Sequence, residues 1–265
     1  MDQQELSERV GETLKTLASR VVGAGGLQSS EPPRCPRCND TQLIQVVPGA
    51  ELPLGTAPVV KFCECREESR RQKLIARIVP DMWVGLKVVD LRPYPGIAEI
   101  FPMAEQEELI EIIKADPLRG YAFFGPSGCG KSRMLHCLLQ EAINQGKDVF
   151  YAKMGRLIQA MRDNEFGRLP EERWGEILDA DDLRSRKDGD RLHIFIDEID
   201  KIPFTDDVYL KILELIDFIY ENRKRATLNV CSNLDTNKFA KIWGDALSRR
   251  VEDICEVIEV KALES

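Results

Sequence analysis

The sequence predicts an α/β protein in which a mostly parallel sheet of five strands lies between helices, preceded by a small cysteine-containing module. From about residue 105, short apolar segments alternate with longer helical segments, which is the pattern of a parallel sheet covered on both faces. Four cysteines fall between residues 35 and 65, ahead of that alternation. A chain of 265 residues is long enough for one substantial domain and one small module.

Composition and charge narrow the class of protein further. Hydrophobic residues make up 43% and charged residues 31%, as in ordinary globular proteins, and no apolar run approaches the roughly 18–20 residues of a membrane span. The acidic, polar N-terminus does not resemble a secretory signal, so we expect a cytoplasmic protein with reduced thiols and no membrane association. A net charge of −8 argues against coating DNA by bulk electrostatics, although a local basic groove stays open.

The N-terminal part of the chain contains several short segments before the main domain. Its first helix has apolar residues at steps of three and four between Leu6 and Val21. A stretch rich in Gly, Ser and Pro follows, and a basic helix later ends at Pro80. The predicted segments are an amphipathic helix (1–22), a linker (23–34), a zinc-binding module (35–66), a basic connecting helix (67–80) and the main domain (81–265).

The main domain is predicted from the alternation of its elements. Strands are expected at 121–125, 148–153, 192–197, 226–233 and 255–260, and helices at 131–145, 155–163, 208–222 and 237–250. The charged region 164–190 has no clear period and is expected to be a surface excursion.

A phosphate-binding loop is predicted where the first strand meets the first helix. The segment GPSGCGKS fits G-x-x-x-x-G-K-[ST], in which glycines let backbone N–H groups surround phosphates at a helix N-terminus. Lys131 is expected to contact the β- and γ-phosphates of ATP, and Ser132 to hold Mg²⁺. A chance glycine-rich turn is the alternative. The predicted nucleotide-binding residues of this loop are Gly125, Pro126, Ser127, Gly128, Cys129, Gly130, Lys131 and Ser132.

A second motif, LHIFIDEID, ends the third predicted strand with acidic residues. Asp197 is expected to hold Mg²⁺ together with Ser132, and Glu198 to polarise an attacking water. The alternative is a strand that ends in a solvated acidic turn. An Asp-Glu pair favours hydrolysis by water over transfer of a phosphoryl group to a small substrate.

Two polar features near the end of the chain extend this site. Asn233 follows the fourth predicted strand, where a polar side chain would sense the γ-phosphate, although asparagine is also a common turn former. Arg249 and Arg250 lie on the last predicted helix, where one of them would complete a neighbouring subunit's site as an arginine finger. An exposed, solvated arginine pair is the alternative.

These motifs together resemble those of the AAA+ ATPases. GPSGCGKS, FIDEID, CSN and ALSRRVEDICEVIEV occur in the order and spacing of the branch that includes bacterial initiators and helicase loaders. The last segment resembles the end of the DnaC/DnaI-type loader core, where L-x-x-R precedes a strand similar to VIEL. That resemblance implies Arg250, rather than Arg249, as the finger supplied in trans. The chain ends soon after this strand, so we expect the helical lid domain that many AAA+ proteins carry to be absent.

The four N-terminal cysteines predict a zinc site. Two close pairs, one C-x-x-C and one C-x-C, are 24 residues apart, and neither histidine of the chain lies nearby. Free thiols or a redox pair are the alternatives. The remaining cysteines, at 129, 137, 231 and 255, are expected to be packing residues. The predicted Zn²⁺ ligands are Cys35, Cys38, Cys63 and Cys65.

The cysteine module also resembles a known family. The segments CPRCNDTQ and FCECREESRR are similar to the start of DnaI-like and phage-encoded loaders, with Gln42 where their pattern has glycine. The combined resemblance implies an ATPase that self-associates through its ATP site, binds the hexameric replicative helicase and places it on single-stranded DNA. A transposition helper ATPase of the IstB type is the main alternative. A small-molecule kinase and a zinc-containing adaptor with a vestigial ATPase are disfavoured.

Overall fold

The computed structural model describes residues 35–46, 59–162, 186 and 190–260. The predicted N-terminal helix and linker, and nearly all of the region 164–190, lie outside the described residues. The chain divides into two compact units, Met1–Arg66 and Glu67–Ser265. None of the helices described is both long and apolar enough to pass through a membrane.

The described part of the first unit is a β-hairpin with a tight turn before it. Strands β1 (Leu43–Val46) and β2 (Val59–Phe62) pair antiparallel. Three residues of the turn that precedes β1 adopt the left-handed conformation: Asn39 (φ 46°), Asp40 (φ 62°) and Gln42 (φ 60°). Glycine adopts this conformation with no steric cost, so Gln42 occupies a backbone position that favours glycine.

The second unit contains a five-stranded sheet whose pairs are all parallel, in the order β4-β5-β6-β3-β7. This arrangement confirms the predicted fold class. All residues of β3, β5 and β6 are buried, because helices cover both faces of these strands, as their apolar sequences predict. The strands are β3 (Tyr121–Phe124), β4 (Val149–Lys153), β5 (Leu192–Asp197), β6 (Ala226–Cys231) and β7 (Glu256–Glu259).

Helices cover the sheet, and most lie within a few residues of their predicted positions. One helix that the sequence patterns above do not predict follows Pro102 and buries Leu109, Ile110 and Ile113. Three short 3₁₀ helices precede it, at Asp81–Trp83, Val88–Asp90 and Pro95–Ile97. The α-helices are α1 (Glu64–Ile78), α2 (Met103–Ala115), α3 (Lys131–Asn144), α4 (Met154–Arg162), α5 (Asp206–Glu221) and α6 (Thr236–Ile254).

The last helix differs from its prediction in length and shape. Helix α6 continues to Ile254, four residues beyond the predicted end. Gly244 interrupts it with a non-helical conformation (φ 81°, ψ 156°), so α6 consists of two helical segments joined at a kink. The carboxylate of Asp235 caps its start by accepting a hydrogen bond from the Lys238 N–H at 2.7 Å.

The topology brings the predicted site residues to one edge of the sheet. Strands β3, β5 and β6 are neighbours and parallel, so their carboxyl ends lie side by side. The glycine-rich loop follows β3, the Asp197–Glu198 pair ends β5, and Asn233 follows β6. Residues far apart in the sequence therefore face a common space above this edge.

Candidate nucleotide-binding site and cysteine cluster

The glycine-rich loop has a backbone conformation that requires its glycines. Gly125, Gly128 and Gly130 have φ angles of 137°, 87° and 90°, which side chains rarely tolerate. A Cβ atom on Gly125 would also lie 2.4 Å from the carbonyl oxygen of Val260, a backbone atom that cannot move away freely. Only glycine fits these positions of the loop. Without side chains, the backbone N–H groups of the loop remain accessible to a phosphate.

Lys131 begins helix α3 and points back into this loop. It is buried, and its Nζ donates hydrogen bonds to the carbonyl oxygens of Gly125 at 2.8 Å and Pro126 at 2.7 Å. Its Nζ also lies 3.6 Å from the sulfur of Cys129. The ammonium group thus sits inside the loop, where a phosphate oxygen would take the place of these neutral acceptors.

Ser132 and Asp197 form a bridge between helix α3 and the end of strand β5. The Ser132 hydroxyl donates to Oδ1 of Asp197 at 3.1 Å. Burial raises the pKa of the Asp197 carboxyl, while the hydrogen bond from Ser132 partly opposes that effect. Two hard oxygen donors at one point of a phosphate cleft fit Mg²⁺, which prefers such ligands and lowers the cost of a buried carboxylate.

Glu198 follows Asp197 but has different surroundings. Its backbone is left-handed (φ 60°), which is a strained conformation for a glutamate. Its carboxylate contacts Nζ of Lys201 at 2.5 Å and Nζ of Lys153 at 3.7 Å. The hydrogen bond from Lys201 is the main reason that the pKa of Glu198 is lowered, so the carboxylate is held ionised. A water molecule would have to compete with two lysines for this carboxylate.

Asn233 is held by an acidic residue that the sequence analysis does not single out. The backbone N–H of Asn233 donates to Oδ1 of Asp200 at 2.7 Å, and its side-chain Nδ2 donates to Oδ2 of the same carboxylate at 3.3 Å. Asp200 is the third acid of the DEID segment, so the signal was present in the sequence. Its role was not predicted because the contact joins two loops 33 residues apart.

A cleft of about 280 Å³ brings most of the predicted residues together. Five residues that were not predicted as site residues also line it: Trp83, Arg133, Lys201, Cys231 and Ser232. Trp83 is fixed there because its carbonyl oxygen accepts a hydrogen bond from the buried side chain of Gln140 at 2.9 Å. The predicted residues that line the cleft are Ser127, Gly128, Gly130, Lys131, Ser132, Asp197, Glu198 and Asn233.

The two arginines predicted as finger candidates do not line this cleft. Arg250 forms an ion pair with Asp217 of helix α5, with 2.5 Å between Nη1 and Oδ1. Arg249 is exposed and makes no ion pair with any residue that the structure describes. Within one subunit, therefore, the loop, the acidic pair and Asn233 converge, whereas the arginines do not join them.

The four predicted zinc ligands converge in the first unit. The sulfur atoms of Cys35, Cys38, Cys63 and Cys65 all lie within 4.8 Å of one another. Two of the distances are 3.7 Å (Cys35–Cys63) and 3.4 Å (Cys38–Cys65), close to the ~3.8 Å between sulfurs that tetrahedral Zn–S bonds of about 2.3 Å require. Backbone N–H groups of Arg37 and Cys38 lower the pKa of the Cys35 thiol to about 7. The donor set fits a four-thiolate zinc site.

The other four cysteines are buried, which confirms their prediction as packing residues. Cys137 and Cys231 belong to the core beside helix α3, and Cys255 packs against the opposite face of the sheet. Cys129 is buried within the phosphate loop itself.

Comparison with known proteins identifies the core. A family model described as "IstB-like ATP binding protein" matches residues 116–263, which is more than half of the chain. The matched segment contains every residue predicted to bind nucleotide, and it begins after the cysteine cluster. No curated protein sequence matches the chain significantly.

Several solved structures are similar to this chain at low sequence identity. The DnaC helicase loader superposes with a TM-score of 0.50 and 14% identity, over 69% of this chain and 100% of that one. DnaI gives 0.45 and 12%, over 70% and 93% of the two chains. AMPPCP-bound DnaA from Aquifex aeolicus gives 0.47 and 16%, over 67% of this chain and 50% of DnaA. The likeness to DnaC shows that this chain shares the fold of that protein over 69% of its length.

Proposed function

The chain belongs to the IstB-like ATP-binding protein family, and we propose that it is a cytoplasmic ATPase that loads the replicative helicase during initiation of DNA replication. It would bind the hexameric helicase and help to place it on single-stranded DNA. The observation that carries this proposal is the convergence of four cysteines in a module ahead of the ATP-binding core, outside the residues that the family model matches. A zinc module of this kind is the feature in which the chain resembles loaders.

The geometry of the cleft supports ATP hydrolysis as the reaction. Lys131 would exchange the carbonyl oxygens of the loop for the β- and γ-phosphates, and Ser132 and Asp197 would hold Mg²⁺. The bound ion would neutralise charge on the phosphates. Glu198 would orient and deprotonate water once its lysine partners release it, and Asn233, held by Asp200, would contact the γ-phosphate.

Self-association through the ATP site explains the position of the arginines. Neither Arg249 nor Arg250 lines the cleft of its own subunit, whereas both lie on the second segment of α6, at the surface. We assign the finger to Arg250, which would reach the γ-phosphate of a neighbouring subunit. ATP binding would then stabilise the assembly, because the nucleotide would contact both subunits.

Single-stranded DNA has a candidate contact surface in the second unit. A cleft of about 300 Å³ is lined by Arg77, Lys153 and Arg156, and none of the described residues that line it is acidic. Its remaining lining is largely apolar and includes the half-buried aromatic residue Tyr151. Cations beside apolar and aromatic side chains are the arrangement used for single strands. Lys153 also contacts Glu198, so DNA in this cleft would affect the hydrolytic site.

The loader proposal is tested by native mass spectrometry of the protein mixed with the replicative helicase of its organism. We expect a complex that persists in the Lys131→Ala variant, because that change affects the nucleotide site only. The complex should be lost when residues 1–66 are deleted, because these residues would grip the helicase. Failure to form a complex with or without ATP–Mg²⁺ would refute the proposal.

A transposition helper ATPase is the second candidate, and the family match favours it directly. The family model that matches this chain is described as an IstB-like ATP-binding protein, which is the type of the transposition helper. In that case the protein would bind a DNA-bound transposase and show no complex with the helicase. The same mass-spectrometric measurement with a transposase–DNA complex separates the two functions.

A further inference from the structure

We propose that Asp217 is a positioning residue for Arg250, holding its guanidinium in the orientation in which a neighbouring subunit's nucleotide meets it. This inference rests on the proposed function, because it assumes that Arg250 acts in trans. It adds a residue of helix α5 to a site otherwise formed by loops at the carboxyl edge of the sheet and by helix α6 of the neighbour.

The contact between the two side chains is close but incomplete. The distance between Arg250 Nη1 and Asp217 Oδ1 is 2.5 Å, and the side chains remain 33% and 34% exposed. A guanidinium has five N–H donors in a fixed plane, so one contact to a carboxylate leaves others available. Asp217 Oδ1 accepts no hydrogen bond, so Asp217 restrains the Arg250 guanidinium by charge and leaves its N–H donors available to a phosphate.

The position of Asp217 within its helix supports this role. It lies one turn before the end of α5 at Glu221, where a negative charge opposes the helix dipole. Aspartate is also a weak helix former in a helix interior. Its neighbours Ile216 and Ile219 are fully buried, so its backbone is firmly held by the core. A carboxylate at this place is unfavourable for α5 alone and is explained by its cationic partner.

Helix α6 presents Arg250 on an equally fixed backbone. After the kink at Gly244, the second segment is anchored by Leu247 and Val251, whose side chains are fully buried. The only freedom left to Arg250 is that of its long side chain, and the ion pair with Asp217 restricts it. A pre-oriented arginine loses less conformational entropy when it binds the γ-phosphate.

Subunit mixing separates a role in trans from a role in folding. Lys131→Ala subunits lose their own phosphate contacts but keep Arg250 and Asp217, whereas Asp217→Ala subunits keep an intact cleft. Each variant alone should hydrolyse ATP slowly, and for Asp217→Ala we expect roughly a ten- to hundredfold loss of kcat with little change in the KM for ATP. Mixing the two variants should restore activity, because Asp217→Ala clefts then receive a correctly held Arg250.

Two results would overturn the proposal: full activity of Asp217→Ala, or no gain of activity in the mixture. Asp217→Asn keeps the shape and one acceptor, so it should retain intermediate activity, and it replaces Asp217→Ala in the mixture if that variant fails to fold. Glu214→Ala removes an exposed carboxylate from the same helix and should leave hydrolysis unchanged.

A parallel mixture distinguishes failure of this inference from failure of the proposed finger. Arg250→Ala subunits mixed with Lys131→Ala subunits should also regain activity. If Arg250→Ala alone is fully active, the finger assignment itself is wrong. If only the Asp217→Ala mixture stays inactive while the Arg250→Ala mixture recovers, Arg250 acts in trans without help from Asp217.

Discussion

The nucleotide cleft and the cysteine module achieve order by different physical means. The cleft lies at the edge of a sheet whose central strands are fully buried, so its geometry is supported by a large apolar core. The module has a short hairpin and four converging sulfurs, of which only Cys38 and Cys63 are buried. From this comparison we expect that the cleft exists before its ligand binds, whereas the module would depend on a bound metal.

Metal removal should give the largest effect and should affect only one of the two regions. We expect one zinc per chain in the purified protein. Chelation should abolish amide hydrogen-exchange protection in β1 while leaving β3 protected. Structural zinc contributes about 10–16 kcal/mol of apparent binding free energy to small modules, far more than this hairpin provides. Hydrogen exchange followed by mass spectrometry, with metal analysis, measures both quantities.

Cys137→Ser is the matched control for that experiment. Cys137 is a buried residue of helix α3 and lies outside the cluster, so its variant should keep a full complement of zinc. Equal loss of hydrogen-exchange protection in β1 and β3 on chelation would contradict the expectation that only the module depends on metal. A protein purified without zinc would exclude the four-thiolate site.

Chemistry in the cleft should be separable from its structure. Glu198→Gln should lower kcat for ATP hydrolysis by about 10²–10⁴-fold, the usual contribution of a general base, without weakening ATP binding. The glutamine cannot deprotonate water, but it preserves the size of the side chain. Single-turnover kinetics together with equilibrium ATP binding report the two effects. Glu221→Gln, at the end of α5, serves as a control and should hydrolyse ATP normally; undiminished turnover in Glu198→Gln would remove the base from the mechanism.

Replacing the buried carboxylate of Asp197 should stabilise the fold but impair the binding of Mg²⁺. Because burial raises its pKa in the folded state, Asp197 stabilises the fold when protonated, and this contribution is lost as pH rises through the folded-state pKa. At neutral pH the ionised carboxylate is a cost that Mg²⁺ would offset. Asp197→Asn should therefore raise the free energy of unfolding and abolish stabilisation by ATP–Mg²⁺.

Urea unfolding at pH 7, with and without ATP–Mg²⁺, measures this change. Asp253→Asn alters an exposed carboxylate and should leave both the intrinsic stability and the ATP–Mg²⁺ increment unchanged. A destabilised Asp197→Asn protein would mean that the hydrogen bond from Ser132 outweighs burial. The stability of the cleft would then depend on the Ser132–Asp197 hydrogen bond, just as the stability of the module is expected to depend on its four cysteines.

Local sequence patterns predicted the parts of the molecule whose structure depends on residues close together in the sequence. The glycine-rich loop and strand β5 follow from backbone conformation and apolar runs, and both lie where the sequence places them. Contacts between distant elements carried no such signal: Lys153 reaches Glu198 from β4, and Asp217 reaches Arg250 from α5. Helix α2 was not predicted because it precedes β3, the first strand of the alternating pattern.

The smallest effect concerns a single backbone angle in the cysteine module. Gln42 has φ 60°, a conformation that costs a residue with a side chain about 1–2 kcal/mol, whereas glycine adopts it freely but loses more entropy on folding. Gln42→Gly should therefore stabilise the zinc-bound module by about 0.5 kcal/mol, measured as slower zinc release to a chelator. The carbonyl of residue 42 should keep its hydrogen bond from the Cys63 N–H, which is 2.8 Å long, because that bond involves backbone atoms only.

Thr41→Gly tests whether that gain is specific to the left-handed position. The Thr41 hydroxyl donates to the carbonyl oxygen of Cys38 at 2.6 Å, and Thr41 does not have a positive φ, so glycine there removes a contact and relieves no strain. Zinc should leave the Thr41→Gly protein faster than the parent. If both glycine variants release zinc faster, the left-handed conformation of Gln42 does not destabilise the module. The conformation of the hairpin would then depend on metal binding by the four cysteines alone, unlike the cleft, which is formed without its ligand.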